Sequence, residues 1–285
     1  MGAIRNLASV VVVLTLGLVT GHGEFGSARM RSPQSLFAQS AAKKLGNEFA
    51  SGNISLLLLD AQTGAVLAAQ WDDPAKPIPV GSLVKPFVAL AYGEQHAFQY
   101  PTHRCRGTAT GCWLARGHGD VDLSSAIAHS CNSYFRVLTA NMSAADVSPI
   151  ATRLGLQAPS HDVTGSQLSG LGNRWLIAPI SIVRAYLELL RRREQPGIRP
   201  IFTGMEASAE EGTGVGVDRA LRYPNALVKT GTASCTHPSH APGDGFTIAL
   251  FPADNPEVLL LVRVHGVPGA QAAKVAGKIL QKIEE

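Results

Sequence analysis

The sequence is poor in charged residues, and this scarcity excludes two classes of protein. Only 16% of its 285 residues are charged and 45% are hydrophobic, a composition typical of a globular chain and not of a disordered one. The net charge is +4. The only tight basic run, Arg191 to Arg193, follows an apolar-periodic segment, where cations offset the helix dipole. A nucleic-acid binder usually concentrates its basic residues on one element, so we predict no nucleic-acid partner.

The chain also lacks an apolar run of comfortable membrane-spanning length. Residues 7–19, which follow Arg5, form an apolar run of 13 residues, whereas a transmembrane helix needs about 20. This pattern is typical of a secretory signal peptide. We therefore predict a signal peptide over residues 1–28, with an uncleaved signal anchor as the alternative, and a polar lead-in over residues 29–53. The expected location is the periplasm or the cell envelope.

Cysteines are few, and export would permit them to form disulfides. Cys105 and Cys112 flank a loop rich in glycine and threonine, so we predict a local disulfide between them. Cys131 and Cys235 can be buried thiols or a second pair, and the sequence leaves both alternatives open. The segment from Cys235 to His240 has metal-binding residue types, but no second cluster completes four ligands at zinc-like spacing. We therefore predict neither a metal nor a cofactor.

The pattern of apolar residues predicts an α+β domain. An apolar strand at residues 54–59 is followed by a turn and a returning strand at residues 65–69. Three further strands close the chain, and helices occupy the middle. Strands are expected at 226–232, 246–251 and 258–264. Helices are expected from 82 to 94, from 122, from 179 as the longest amphipathic helix, and from 271 to 284. The two groups of strands must meet in one antiparallel sheet to bury their apolar faces.

Ser82 and Lys85 form the first of three motifs that can carry chemistry. Their i, i+3 spacing places both side chains on one face of a helix. A serine hydroxyl is a poor nucleophile until a base takes its proton, and a lysine can act as that base only when it is neutral. Burial or a nearby cation such as Lys229 would favour the neutral amine.

Ser130-Cys131-Asn132 is the second motif, at an expected turn between two helices. A second hydroxyl close to the first can pass a proton to a leaving amine. The Asn132 amide can both donate and accept hydrogen bonds, which suits binding of a peptide backbone. In isolation each of these short motifs also occurs by chance.

Lys229-Thr230-Gly231-Thr232 is the third motif, and it lies on an expected strand. Lys229 offers a cation to a substrate carboxylate, and Thr230 and Thr232 offer hydroxyl groups. Gly231 leaves space for a substrate to lie against the strand.

The three motifs in this order resemble those of penicillin-binding proteins and active-site-serine β-lactamases. The flanking sequences, Pro79-Val80-Gly81 and Gly117-His118-Gly119 among them, are most similar to class B transpeptidases. The resemblance runs from Ile54 to the end of the chain and predicts one penicillin-binding transpeptidase domain over residues 54–285. It implies a five-stranded antiparallel sheet flanked by helices plus a helical subdomain, and an oxyanion hole made by the backbone N–H groups of Ser82 and Thr232.

The resemblance also implies an activity and its partners. Ser82 would form an acyl-enzyme with peptidoglycan stem peptides that end in D-Ala-D-Ala, with Lys85 as the base. Ser130 would protonate the departing D-Ala, and Asn132 would orient the peptide. Its terminal carboxylate would bind Lys229, Thr230 and Thr232. The expected partners are stem peptides, β-lactam antibiotics that trap Ser82, and other proteins of cell-wall synthesis.

Two alternatives to transpeptidation remain open. One is hydrolysis, by a DD-carboxypeptidase or a β-lactamase. A class A β-lactamase needs a glutamate that activates water, but no glutamate lies between Glu94 and Glu188. A class D enzyme usually has a hydrophobic residue at the position of Asn132. The other alternative is a non-catalytic penicillin-binding module that acts as a β-lactam sensor or a scaffold.

Overall fold

The computed structural model describes residue 45 and residues 52–235 and 243–285. The predicted signal peptide and almost all of the predicted lead-in lie outside these residues. Strands in the described part are β1 (Ile54–Asp60), β2 (Val66–Gln70), β3 (Ile78–Pro79), β4 (His103–Cys105), β5 (Gly119–Val121), β6 (Leu176–Ile177), β7 (Leu227–Ala233), β8 (Asp244–Phe251) and β9 (Val258–His265). Its α-helices are α1 (Lys85–Gln95), α2 (Leu123–Ala128), α3 (Asn132–Leu138), α4 (Ala144–Arg153), α5 (Pro179–Leu190), α6 (Arg199–Glu210) and α7 (Gly269–Glu284). Among the described helices, none has the length and apolar character needed to cross a membrane.

The first and last strands of the chain pair in one sheet, as the sequence predicts. Five strands are ordered β2-β1-β9-β8-β7, and all of their pairings are antiparallel. The register between β1 and β9 places Leu57 opposite Leu261. The predicted α+β fold with a five-stranded antiparallel sheet is therefore confirmed.

Helices cover both faces of this sheet, which explains the four consecutive leucines, Leu56 to Leu59, of β1. Leu57 and Leu59 pack in a core that includes residues of α1 and α5. Leu56 and Leu58 point to the opposite face, in a second core that includes residues of α7. Because successive side chains of a strand alternate between the two faces, a strand buried on both sides is apolar at every position.

Two details of the helical prediction are wrong. The longest described helix is α7 with 16 residues, whereas α5 has 12. The sequence analysis predicted neither α4 nor α6, although Pro200 lies in the first turn of α6 and the apolar face of α6 is buried. Proline in the first turn is a helix-start signal, but apolar side chains are sparse in this segment, so periodicity alone gave no clear pattern.

Candidate active site

Ser82 lies in a single turn of 3-10 helix, Gly81–Val84, which leads directly into α1. This turn packs tightly against β7. Gly81 has a φ of +57°, and a Cβ at this position would lie 2.2 Å from the Thr232 carbonyl oxygen, so only glycine fits. On the other side, the Tyr186 hydroxyl donates a hydrogen bond to the Leu83 carbonyl oxygen at 2.8 Å. The turn that carries Ser82 is therefore held by both the sheet and α5.

Lys85 is the first residue of α1 and is fully buried. Its Nζ donates hydrogen bonds to the Ser130 carbonyl oxygen and to Asn132 Oδ1, each at 2.8 Å. Burial is the main cause that lowers the pKa of Lys85 to about 7. The neighbouring Cys131 and Cys112 act in the opposite direction, and the Arg136 cation lowers the pKa by a smaller amount. Burial therefore dominates over the Lys229 charge that the sequence suggests. A neutral amine at this position keeps a lone pair that can accept a proton.

Ser130 lies between α2 and α3 with a φ of +50°, which is rare for a residue other than glycine. The turn is held by backbone hydrogen bonds from Ser130 to Ile127 at 3.2 Å and from Cys131 to Ala126 at 2.9 Å. The Ser130 hydroxyl receives a hydrogen bond from Lys229 Nζ at 3.0 Å. Conformations of this kind persist where the surrounding structure holds them, and they concentrate at functional sites.

Lys229 is also fully buried, on β7. Its Nζ donates to Ser130 Oγ and to the Thr230 carbonyl oxygen, the latter at 2.8 Å. Burial, followed by the Lys85 cation, lowers the pKa of Lys229 well below its usual range. In the structure the Lys229 amine contacts Ser130 and its own strand, and the predicted contact with a substrate carboxylate stays a prediction.

A cleft of about 320 Å³ opens above these lysines. It is lined by Ser82, by residues of the second and third motifs, and by residues from other parts of the chain. The lining residues are Ser82, Trp113, Ser130, Asn132, Leu171, Thr213, Thr230, Gly231, Thr232, Pro268, Gly269 and Ala270. None of them is acidic, so the described wall of the cleft offers no carboxylate to activate water.

Thr213 is a cleft residue that the sequence analysis missed. The Thr230 hydroxyl donates to Thr213 Oγ1 at 2.6 Å, and the Thr213 backbone N–H donates to the Ala128 carbonyl oxygen at 3.1 Å. Two hydroxyl groups therefore stand together at the β7 side of the cleft, where they can bind a carboxylate. No motif surrounds Thr213, so no signal in the sequence identifies it.

Gly231 has a structural role in addition to the predicted one, which stays a prediction. A Cβ at this position would lie 2.6 Å from the Val80 carbonyl oxygen and 3.1 Å from Leu83 Cγ. The side chain would thus collide with the segment that precedes and follows Ser82. Glycine allows β7 to approach the nucleophile turn, and this approach places both Ser82 and Thr232, the two residues of the expected oxyanion hole, in the cleft wall.

Cys105 and Cys112 do not form the predicted disulfide in this structure, where both are free thiols. Each sulfur lies close to His118 Nδ1, at 3.6 Å for Cys105 and 3.5 Å for Cys112. Cys131 Sγ lies 3.8 Å from Cys112 Sγ. Sequence spacing did not reveal this cluster, because its members come from separate elements. The histidines of the segment after Cys235 fall in residues 236–242, outside the described part of the chain.

Comparison with known proteins agrees with this fold and motif set. Residues 54–191 match the family model of the penicillin binding protein transpeptidase domain. The match includes the Ser82 and Ser130 motifs and ends before the strand of Lys229. A comparison with curated protein sequences finds no significant match.

Solved transpeptidases share the fold at low sequence identity. Pseudomonas aeruginosa PBP2, solved in complex with WCK 5153, superposes with a TM-score of 0.69 at 17% identity, over 88% of this chain and 74% of that one. Helicobacter pylori PBP2, in a complex with MreC, gives a TM-score of 0.70 at 18% identity, over 87% of this chain and 62% of that one. The transpeptidase domain of Burkholderia pseudomallei penicillin-binding protein 3 gives 0.64 at 18% identity, over 87% and 91%.

The α+β fold is thus that of the transpeptidase domains of penicillin-binding proteins. Residues 54–191 are also similar in sequence to the penicillin binding protein transpeptidase domain.

Proposed function

We propose that this protein is a DD-transpeptidase that acts on peptidoglycan stem peptides ending in D-Ala-D-Ala, through an acyl-enzyme on Ser82. The observation that carries the proposal is that three separate parts of the chain meet at one cleft. Ser82 and Ser130 line the cleft, and the buried Lys85 and Lys229 both contact Ser130. The match to the transpeptidase domain model supports acyl transfer as the type of reaction. The D-Ala-D-Ala donor and the amine acceptor belong to the proposal.

Lys85 starts the proposed reaction. With its pKa lowered to about 7, a substantial fraction of the lysine is neutral at physiological pH, and its two N–H groups bind the Ser130 carbonyl oxygen and Asn132 Oδ1. The remaining lone pair accepts the proton of Ser82 as its oxygen attacks the carbonyl carbon of the penultimate D-Ala. Backbone N–H groups of Ser82 and Thr232 stabilise the negative charge that develops on the carbonyl oxygen.

Ser130 completes the first half-reaction. Its hydroxyl donates a proton to the nitrogen of the departing D-Ala and is resupplied from the lysines that contact it. Thr230, Thr213 and Thr232 bind the terminal carboxylate of the peptide, while the buried Lys229 keeps Ser130 in place. The amine of a second stem peptide then attacks the Ser82 ester and forms the cross-link.

The cleft composition favours aminolysis of the ester over rapid hydrolysis. A class A β-lactamase uses a glutamate to direct water at the ester, and no acidic residue lines this cleft in the described part of the chain. β-Lactams mimic the D-Ala-D-Ala terminus. We therefore expect them to acylate Ser82 and to leave a long-lived adduct.

We place this activity in the periplasm or cell envelope, after export by the signal predicted at residues 1–28. Helicobacter pylori PBP2 was solved with MreC, and another similar structure is described as a peptidoglycan synthase complex that coordinates polymerization and crosslinking. By analogy, a protein of cell-wall synthesis is the proposed partner of this chain.

The first experiment is intact-mass analysis after incubation with benzylpenicillin. The wild-type protein and the Ser160→Ala variant, in which an exposed serine is removed, should gain one lasting adduct, and Ser82→Ala should gain none. Rapid loss of the drug without an adduct would identify a β-lactamase. If no adduct forms and no drug is lost, a non-catalytic module is favoured.

The second experiment separates transpeptidation from hydrolysis. The protein is incubated with a pentapeptide ending in D-Ala-D-Ala, with and without a D-amino acid acceptor, and the products are resolved by mass spectrometry. Products that contain the acceptor are expected. Release of D-Ala with water as the only acceptor would identify a DD-carboxypeptidase.

A further inference from the structure

Three thiols and one imidazole converge directly behind Ser130. Cys105 ends β4, Cys112 closes the following loop, His118 precedes β5, and Cys131 lies inside the second motif. Their ligand atoms all lie within 4.8 Å of one another, the three cysteines are buried and His118 is partly buried. No step of the proposed reaction uses these groups.

Three of the six distances between ligand atoms in this cluster match those of a tetrahedral zinc site, and all six are within 4.8 Å. Zinc binds cysteine sulfur at about 2.3 Å and histidine nitrogen at about 2.0 to 2.1 Å, so tetrahedral ligands place two sulfurs about 3.8 Å apart and a sulfur about 3.6 Å from a nitrogen. The observed distances are 3.8 Å between the sulfurs of Cys112 and Cys131. They are 3.6 Å and 3.5 Å from His118 Nδ1 to the sulfurs of Cys105 and Cys112. A disulfide would need about 2.05 Å between sulfurs.

We propose that Cys105, Cys112, His118 and Cys131 together bind one Zn²⁺ ion. Three thiolates and one imidazole are a common ligand set of structural zinc sites, in which four protein ligands leave no position for water. The ion would tie the loop that follows β4 to the turn between α2 and α3.

The backbone around the cluster is shaped to bring these ligands together. A Cβ on Gly107 would lie 1.9 Å from the Ala115 carbonyl oxygen, and one on Gly117 would lie 2.3 Å from the Cys105 carbonyl oxygen. Both glycines have positive φ, so the loop folds back on itself only with glycine at these positions.

Through Cys131, a bound metal would affect two residues that line the cleft. Cys131 lies between Ser130, whose φ is +50°, and Asn132, whose Oδ1 binds Lys85 at 2.8 Å. An ion bound to Cys131 would restrict the turn and so position both neighbours for acylation. This positioning role rests on the proposed function, whereas the metal site itself does not.

Metal content provides the direct test. The full chain, produced with zinc in the medium, is measured by inductively coupled plasma mass spectrometry and by native mass spectrometry. One zinc ion per chain is expected, with its loss on denaturation. Cys112→Ser and His118→Ala should lose the ion, and Cys235→Ser, which removes a cysteine outside the cluster, should keep it. A metal-free wild-type protein, with or without a Cys105–Cys112 disulfide, would overturn the proposal, as would zinc retained by both cluster variants.

Cobalt substitution and reactivation test the site without relying on variants that fold poorly. The Co²⁺-loaded wild-type protein should show thiolate-to-cobalt charge-transfer absorption and tetrahedral d–d bands, and absence of both would contradict the ligand set. Removal of zinc by a chelator should slow acylation of Ser82 by benzylpenicillin at least tenfold, with recovery on adding Zn²⁺ but not Mg²⁺. An unchanged rate in the metal-free protein would overturn the positioning role. Metal content and acylation are separate readouts, so failure of the proposed activity would leave the zinc result interpretable.

Discussion

Lys229 Nζ donates a hydrogen bond to Ser130 Oγ at 3.0 Å, although 99 residues separate the two in the chain. Lys85 Nζ donates a hydrogen bond to the carbonyl oxygen of the same serine, at 2.8 Å. Ser130 thus connects two fully buried lysines. Lys85 begins α1, directly after the turn that carries Ser82, and Lys229 lies on β7, an edge strand of the sheet. Because burial disfavours the charged form of both amines, the hydroxyl between them is well placed to exchange protons with either.

The rate of Ser82 acylation should increase with pH. Lys85 can accept a proton only when neutral, and its pKa is lowered to about 7 by burial. The neutral fraction therefore rises as the pH passes through about 7, and we expect the second-order rate constant for benzylpenicillin to rise with it. Stopped-flow or quenched mass measurements between about pH 5.5 and 8.5 would test this, with thermal unfolding at each pH as the control. A rate independent of pH over that range would argue against Lys85 as the base.

Removing the Ser130 hydroxyl should slow acylation strongly. We expect Ser130→Ala to lower the acylation rate constant by about 10² to 10⁴, the usual contribution of a positioned proton-transfer group. Lys229→Ala should also lower it, and the double variant should be little worse than the more impaired single variant, because both act through one hydrogen bond. Ser160→Ala serves as the matched control. Fully additive losses would show that Lys229 acts independently of Ser130.

A methyl group at position 231 should disturb the contact between β7 and the nucleophile turn. The added Cβ of Gly231→Ala would lie 2.6 Å from the Val80 carbonyl oxygen, and overpacking of this kind typically costs about 1 to 3 kcal/mol. We expect a lower melting temperature together with slower acylation. At Gly52, a Cβ would meet no atom within 4 Å, so Gly52→Ala should change neither. Normal stability and acylation in Gly231→Ala would contradict the close approach of these segments.

The Tyr186 hydroxyl should contribute to stability through Leu83. It donates to the Leu83 carbonyl oxygen at 2.8 Å, and the tyrosine is fully buried. Tyr186→Phe leaves this carbonyl without its partner, which should reduce the free energy of unfolding by about 1 to 3 kcal/mol. Tyr223→Phe, at a position that is 68% exposed, should have little effect. Chemical denaturation of the three proteins measures the difference, and equal stabilities would refute the argument.

The sequence predicted the elements of the sheet because the signal there is local. The continuous apolar run of β1 reflects burial on both faces, and the turn after Asp60 follows from its composition. Asp122 is likewise recognisable as a helix cap, and in the structure its side chain accepts a hydrogen bond from the Ser125 N–H at 2.8 Å. The segment that became α6 was harder to recognise, because its apolar residues are sparse and only Pro200 marks its start.

The three motifs and their order in the sequence were enough to determine the family resemblance and the candidate site residues. Each motif is a short run of consecutive residues, and the chemistry that it can perform follows from the side chains it contains. Only the tertiary structure decided how those residues work together. Lys229 proved to be buried under Ser130, Thr213 joined Thr230 at the cleft, and Gly231 proved necessary for the approach of the Ser82 turn. The spacing of cysteines and histidines in the sequence also did not indicate the cluster of Cys105, Cys112, His118 and Cys131. These relationships depend on long-range packing, which brings together atoms from elements that are distant in the chain, and no local pattern records such proximity.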